Sequence, residues 1–172
     1  MKTGADMGNI YLTGMMGCGK SAIGKRLAER LELPFVDIDL LIEQQQKKTI
    51  NEIFVQGGEA LFRKIEANTL YDAAQNESGA VVSCGGGIVL ADENVRIMRE
   101  TGTVVWIRRD INTIIATINT KKRPLLKDGA DEVRRIFNER APRYEQASDI
   151  SIDNDAGLDD AVDKLITEIE AR

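Results

Sequence analysis

Gly14-Met15-Met16-Gly17-Cys18-Gly19-Lys20-Ser21 fits the pattern G-x-x-x-x-G-K-[ST] at every fixed position. Glycines so placed let a backbone curl around a phosphate with its N–H groups turned inward, and the helix that follows adds its free N–H end. Lys20 is then the group that reaches the β and γ phosphates of a nucleotide, and the Ser21 hydroxyl joins the shell of the accompanying Mg2+. Gly14, Gly17, Cys18, Gly19, Lys20, Ser21 and Ala22 are therefore the predicted nucleotide contacts. Such a loop serves ATPases, GTPases and kinases alike, so the acceptor side must decide. A guanine-reading Asn-Lys-x-Asp is missing, since Asn119-Thr120-Lys121-Lys122 has the wrong order.

On the acceptor side, Phe35-Val36-Asp37-Ile38-Asp39 sets two carboxylates two residues apart at the end of an expected strand, projecting from one face toward the carboxyl edge. One is suited to hold waters of Mg2+, the other to accept hydrogen bonds from a substrate hydroxyl. The plainer alternative has Asp39 capping a helix that begins at Leu40, with Asp37 merely solvated. Arg63 has Glu59 four residues before it and Glu66 three after, the spacing of a surface ion pair. Arg140 shares a helical stripe with Val133, Ile136 and Phe137, which directs its charge toward the apolar side and demands an anion, either a substrate carboxylate or an internal acid. Val81-Val82-Ser83-Cys84 runs into Gly85, Gly86 and Gly87, where a ligand can approach main-chain N–H groups without side-chain obstruction. No Asp ends that strand, which leaves Asp37 as the magnesium-directing candidate.

These groups need a scaffold. Strands are expected at Asn9–Thr13, Phe35–Ile38, Ala80–Cys84, Thr103–Ile107 and Ile150–Ile152. Helical periodicity appears in Ile23, Leu27 and Leu31, over about Glu59 to Gln75, and in Leu158, Val162, Leu165, Ile166 and Ile169. Strands joined by helical crossovers give an α/β fold with a mainly parallel sheet covered on both faces. The 172 residues suit one domain, and 42% apolar with 30% charged residues leaves no visible linker. No apolar stretch is long enough for a membrane span.

Composition removes several chemistries. The chain has no His, so imidazole bases and the commonest zinc ligand are excluded. Its net charge of −5 argues against nucleic-acid or anionic-lipid binding. Cys18 and Cys84 form no CxxC pair, which fits a reducing, cytoplasmic setting. Both lie in site motifs, so sensitivity to bulky thiol reagents is expected. Residues 104 to 143 hold ten Lys or Arg against five acids, while 145 to 172 hold nine acids against two bases. Within the basic stretch, Lys121 to Gly129 has the make-up of a loop that closes over phosphates.

Taken together these motifs resemble the shikimate kinase family from Ile10 to about Asp153. The matching elements are the phosphate loop, Asp37-Ile38-Asp39, Phe62-Arg63-Lys64-Ile65-Glu66, Gly85-Gly86-Gly87, Arg123-Pro124-Leu125 and Arg140-Ala141-Pro142-Arg143-Tyr144. The resemblance implies transfer of the γ-phosphoryl of ATP to the 3-hydroxyl of shikimate in aromatic amino-acid biosynthesis. It also implies a three-layer P-loop fold with a five-stranded sheet of order 2-3-1-4-5, an acceptor-binding segment near 39–66 and a lid near 120–131. By that likeness Arg63 and Arg140 hold the carboxylate, Asp39 and the Gly85-Gly86-Gly87 backbone hold hydroxyls, and Phe54 and Phe62 pack on the ring. Asp39 is the implied base, Lys20 and Arg123 neutralise the moving phosphoryl group, and Mg2+ sits on Ser21 and, through water, Asp37. Many relatives carry an Arg seven residues before the lid Arg, where this chain has Ala116, and the later loop reads Asp153-Asn154-Asp155, so adenine contacts are expected to fall to Asn154. A monomer is implied. The alternatives are another P-loop kinase, of gluconate or nucleoside monophosphates, and a silent ATP-binding regulatory relative.

Overall fold

The computed structural model describes residues 8–76, 79–118 and 129–172. Among these the order is β1 (Asn9–Thr13), α1 (Lys20–Leu31), β2 (Phe35–Asp37), α2 (Ile38–Gln46), α3 (Ile50–Asn76) and β3 (Val81–Ser83). A single 3-10 turn (Ile88–Leu90) leads to α4 (Asp92–Thr101), β4 (Gly102–Arg108), α5 (Ile111–Thr117), α6 (Ala130–Ala147), β5 (Ile150–Asp153) and α7 (Leu158–Glu170). The strands form one parallel sheet of order β2-β3-β1-β4-β5, the order expected from the resemblance. No helix among the described residues is long and apolar enough to cross a membrane.

Strand alternation divides the core into two layers. Ile10, Leu12, Val81, Val105 and Ile107 face one cluster, where α1 and α7 pack through Ile23, Leu27, Val162 and Leu165. Tyr11, Val82 and Val104 face the other, where α3 and α4 pack through Leu70, Ala73 and Met98. The acidic tail is spent on helix pairing: Asp159 meets Arg26 at 3.1 Å and Asp163 meets Arg30 at 2.9 Å.

Strand ends shift by about one residue from expectation, and two boundary differences bear on the site. β2 stops at Asp37, and Ile38 already begins α2, because the Asp37 side chain accepts the Leu40 N–H at 3.2 Å and caps the helix. Asp39 therefore lies in the first turn of α2, not in the strand, and the capping role falls to Asp37. Helix α3 starts nine residues before the expected Glu59 because Thr49 and Glu52 form a capping box: Glu52 Oε2 accepts the Thr49 N–H at 2.7 Å and Thr49 Oγ1 accepts the Glu52 N–H at 3.2 Å. The helix is then broken at Gly58, whose φ of 68° belongs to glycine, so the expected helix from Glu59 is preceded by a further helical stretch across a sharp bend.

Candidate active site

The sheet order puts the end of β1 at the middle of the carboxyl edge, flanked by β3 and β4. Gly14 has φ 138°, and a Cβ there would collide with the Ile107 carbonyl, so only glycine lets the loop leave the strand so close to β4. Lys20 Nζ donates to the Gly14 carbonyl at 2.8 Å and the Met15 carbonyl at 2.9 Å, which draws the buried ammonium across the loop. Helix α1 starts with Gly19 as N-cap and no side-chain cap, leaving its first N–H groups for an anion. Arg109 Nη1 donates to the Gly17 carbonyl at 3.2 Å, and Asn154 Nδ2 to the Cys18 carbonyl at 2.8 Å. Asn154 thus braces the phosphate loop from below, a use the sequence did not disclose, while Ala116 is exposed on α5.

Ser21 Oγ donates to Asp37 Oδ2 at 2.7 Å and lies 3.3 Å from Ser83 Oγ. Mg2+ keeps most of its water and takes few protein oxygens, so a hydroxyl and a carboxylate side by side at the phosphate loop fit it. Both line a cavity of about 320 Å3 together with Met16, Gly17, Gly19, Lys20, Ala22, Asp39, Ser83, Cys84 and Gly86. Asp37 and Asp39 therefore share this space although one ends a strand and the other starts a helix.

The three glycines after β3 explain the opposite wall. A Cβ on Gly85 would stand 2.6 Å from Glu66 Oε2 and 3.0 Å from Asp39 Oδ1. One on Gly86 would meet Met16 Cγ at 3.1 Å and Arg140 Nη1 at 3.4 Å, and one on Gly87 would overlap the Arg63 guanidinium. Each absent side chain makes room for a charged group, and the turn becomes a plate on which one pair of acids and two guanidinium groups converge. Phe54 and Phe62, with centroids 5.0 Å apart, meet across the bend at Gly58, and the Arg63 guanidinium lies 5.2 Å from the Phe62 ring.

Arg63 is not the surface residue its spacing allowed. Its Nη1 donates to Glu66 Oε1 at 2.8 Å, and Glu66 has 0% exposure. Burial raises the Glu66 carboxyl above the usual range, while Arg63 opposes the rise. Arg140 is 5% exposed on the predicted apolar stripe, and no carboxylate among the described residues forms an ion pair with it. Sequence reasoning missed Glu66 and Tyr144 as parts of this wall; the i, i+3 spacing to Arg63 and the i, i+4 spacing to Arg140 were the available signals. Cys18 and Cys84 lie at the site as expected, but both are buried and burial pushes the Cys84 thiol up, so the expected reactivity toward bulky reagents is not supported. Arg123 and most of the expected lid lie outside the described residues.

The family model described as shikimate kinase matches residues 16–170. A shikimate kinase of Sulfurihydrogenibium sp. is 41% identical over 168 residues, covering 96% of this chain and 100% of its own. The solved shikimate kinase of Acinetobacter baumannii, in complex with shikimate, superposes with a TM-score of 0.91 at 31% identity, over 96% of this chain and 94% of its own. A gluconokinase of Sinorhizobium meliloti shares the fold at a TM-score of 0.62 and 15% identity, over 95% of this chain and 92% of its own.

Proposed function

The chain belongs to the shikimate kinase family, and from that membership we propose how its residues divide the transfer of the γ-phosphoryl of ATP to the 3-hydroxyl of shikimate. The products are shikimate 3-phosphate and ADP. The phosphate loop, Gly14 to Ala22, cradles the nucleotide, with Lys20 beside the group in flight. Asp39 takes the hydroxyl proton and aims the oxygen at phosphorus. Arg63 and Arg140 grip the carboxylate, the backbone of Gly85, Gly86 and Gly87 meets the hydroxyl side, and Phe54 and Phe62 flank the ring. Arg123 serves as a second positive group on the phosphoryl oxygens. Ser21 and, through water, Asp37 would hold Mg2+, which would screen the charge shared by the β and γ phosphates. Phosphoryl transfer asks chiefly for alignment and neutralisation, so the chain needs no His.

One observation carries this assignment. Two carboxylates, of Asp39 and Glu66, and two guanidinium groups converge on three successive glycines beside the cradle that holds Lys20. That charge pattern suits an acceptor with hydroxyls and a carboxylate. A monomer and a cytoplasmic location belong to the same reading, on the strength of the family resemblance. The domain is taken as 1–172 with its acceptor segment near 39–66 and lid near 120–131.

A coupled ADP-release assay with shikimate, gluconate and nucleoside monophosphates tests the assignment. Only shikimate is expected to stimulate turnover. Asp39→Asn should lower kcat by roughly 100- to 10,000-fold, the range of general-base contributions, and Arg63→Ala should raise the KM for shikimate. Stimulation by gluconate alone would overturn the acceptor.

A further inference from the structure

Tyr144 is fully buried on α6 and is not among the residues lining the cavity. Its ring stacks on Trp106 of β4 with centroids 5.9 Å apart, and its hydroxyl donates to the Gly86 carbonyl. Burial pushes the phenol up and the Arg140 guanidinium opposes that, so the hydroxyl keeps its proton and remains a donor. One turn back, Arg140 faces Gly86; one residue back, Arg143 Nε donates to the Val89 carbonyl at 3.0 Å and Nη2 to the Leu90 carbonyl at 3.5 Å. A single face of α6 therefore holds three carbonyls of the segment that begins with the glycines.

Gly86 is the critical one. It is squeezed between Met16 of the phosphate loop and Arg140, so its position sets the spacing between the donor cradle and the acceptor wall. A peptide is planar and trans, so turning the Gly86 carbonyl toward Tyr144 forces the Gly87 N–H to point away from it. Two adjacent glycines offer little steric resistance to rotation of that plane, and rotation would exchange the main-chain donor and acceptor that meet the hydroxyl side of the acceptor.

We propose that Tyr144 is a positioning residue for the acceptor, locking the Gly86–Gly87 peptide in its ligand-accepting orientation through its hydroxyl. The inference rests on the acceptor reading given above. Tyr144→Phe removes one oxygen and keeps the ring stack. Tyr11→Phe is the matched control: Tyr11 is equally buried, its hydroxyl bonds Thr101 Oγ1 at 2.7 Å and receives Asn9 Nδ2 at 3.0 Å, and it lies away from the glycine turn.

For Tyr144→Phe the KM for shikimate should rise roughly 5- to 10-fold, the scale of one buried hydrogen bond, with the KM for ATP unchanged. Tyr11→Phe should leave both KM values unchanged. A calorimetric titration with shikimate gives the affinity directly, without turnover. A wild-type shikimate KM in Tyr144→Phe, or an equal rise in Tyr11→Phe, would overturn the proposal. Wild-type turnover in the same assay reads the parent assignment separately: activity on a different acceptor sinks that assignment, and the ratio of the two variants on the acceptor that works still decides the role of Tyr144.

Discussion

Gly87→Ala separates binding from folding at this site. Gly87 has φ −99° and ψ 6°, which alanine adopts without a left-handed penalty, so the backbone itself has no objection. The added Cβ would overlap the Arg63 guanidinium. The turn is held by the Leu90 N–H on the Gly87 carbonyl at 3.1 Å, so the longer, flexible partner gives way. Arg63 has 23% side-chain exposure and can swing outward while keeping Glu59, its partner at 3.2 Å. What it cannot keep is its aim at the acceptor's carboxylate. A hydrogen bond to a charged group contributes about 1.5–3 kcal/mol, which corresponds to roughly 10- to 100-fold in the KM for shikimate. Swinging away also parts Arg63 from the buried Glu66, its partner at 2.8 Å, which costs up to about 3–5 kcal/mol and, at roughly 2–4 °C per kcal/mol, lowers the melt while the chain still folds. Steady-state kinetics with each substrate varied, beside a thermal melt, make the comparison. An intact fold with an unchanged shikimate KM, or an equal loss for ATP, would refute the steric reasoning.

Arg140→Met should raise the shikimate KM at least about tenfold and lower the melting temperature at neutral pH, because the buried Glu66 carboxyl loses the Arg140 charge that helps hold its pKa down. Glu66 gives a pH test. Its folded pKa is raised above the ordinary 4.5, so the folded state holds that proton more tightly and the resulting stability is present below 4.5 and lost as pH rises through the folded value. Urea midpoints should therefore shift in favour of Glu66→Gln over wild type as pH increases, and a pH-independent difference would contradict the buried geometry.

The donor half was legible because its requirements are local: a strand, glycines at fixed steps and Lys-Ser opening a helix act within a few residues of one another. Arg140 was legible for a similar reason, since a charge on an apolar stripe announces burial. Glu66 was not. An i, i+3 partner to Arg63 reads as solvated until the packing of α3 beneath β3 is known, and burial is a tertiary property. Asp37 and Asp39 were placed in the right space by a partly wrong route, because a cap decides strand against helix over a single residue. Tyr144 was visible only as a motif letter, since its partner is a carbonyl far away in sequence. The box at Thr49 and Glu52 was readable and would have given the true start of α3.

The plate of three glycines has an evolutionary consequence. On the proposed roles, the phosphate cradle itself lies in one continuous stretch, β1 through α1, whereas the acceptor's groups come from α2, α3, the glycines and α6. Drift in the recognition segments can redirect such a scaffold to a new alcohol while its energy-coupling half stays fixed. Replacing any one glycine has the opposite character: it disturbs a charged neighbour at once, which makes this short run the least negotiable part of the substrate's seat.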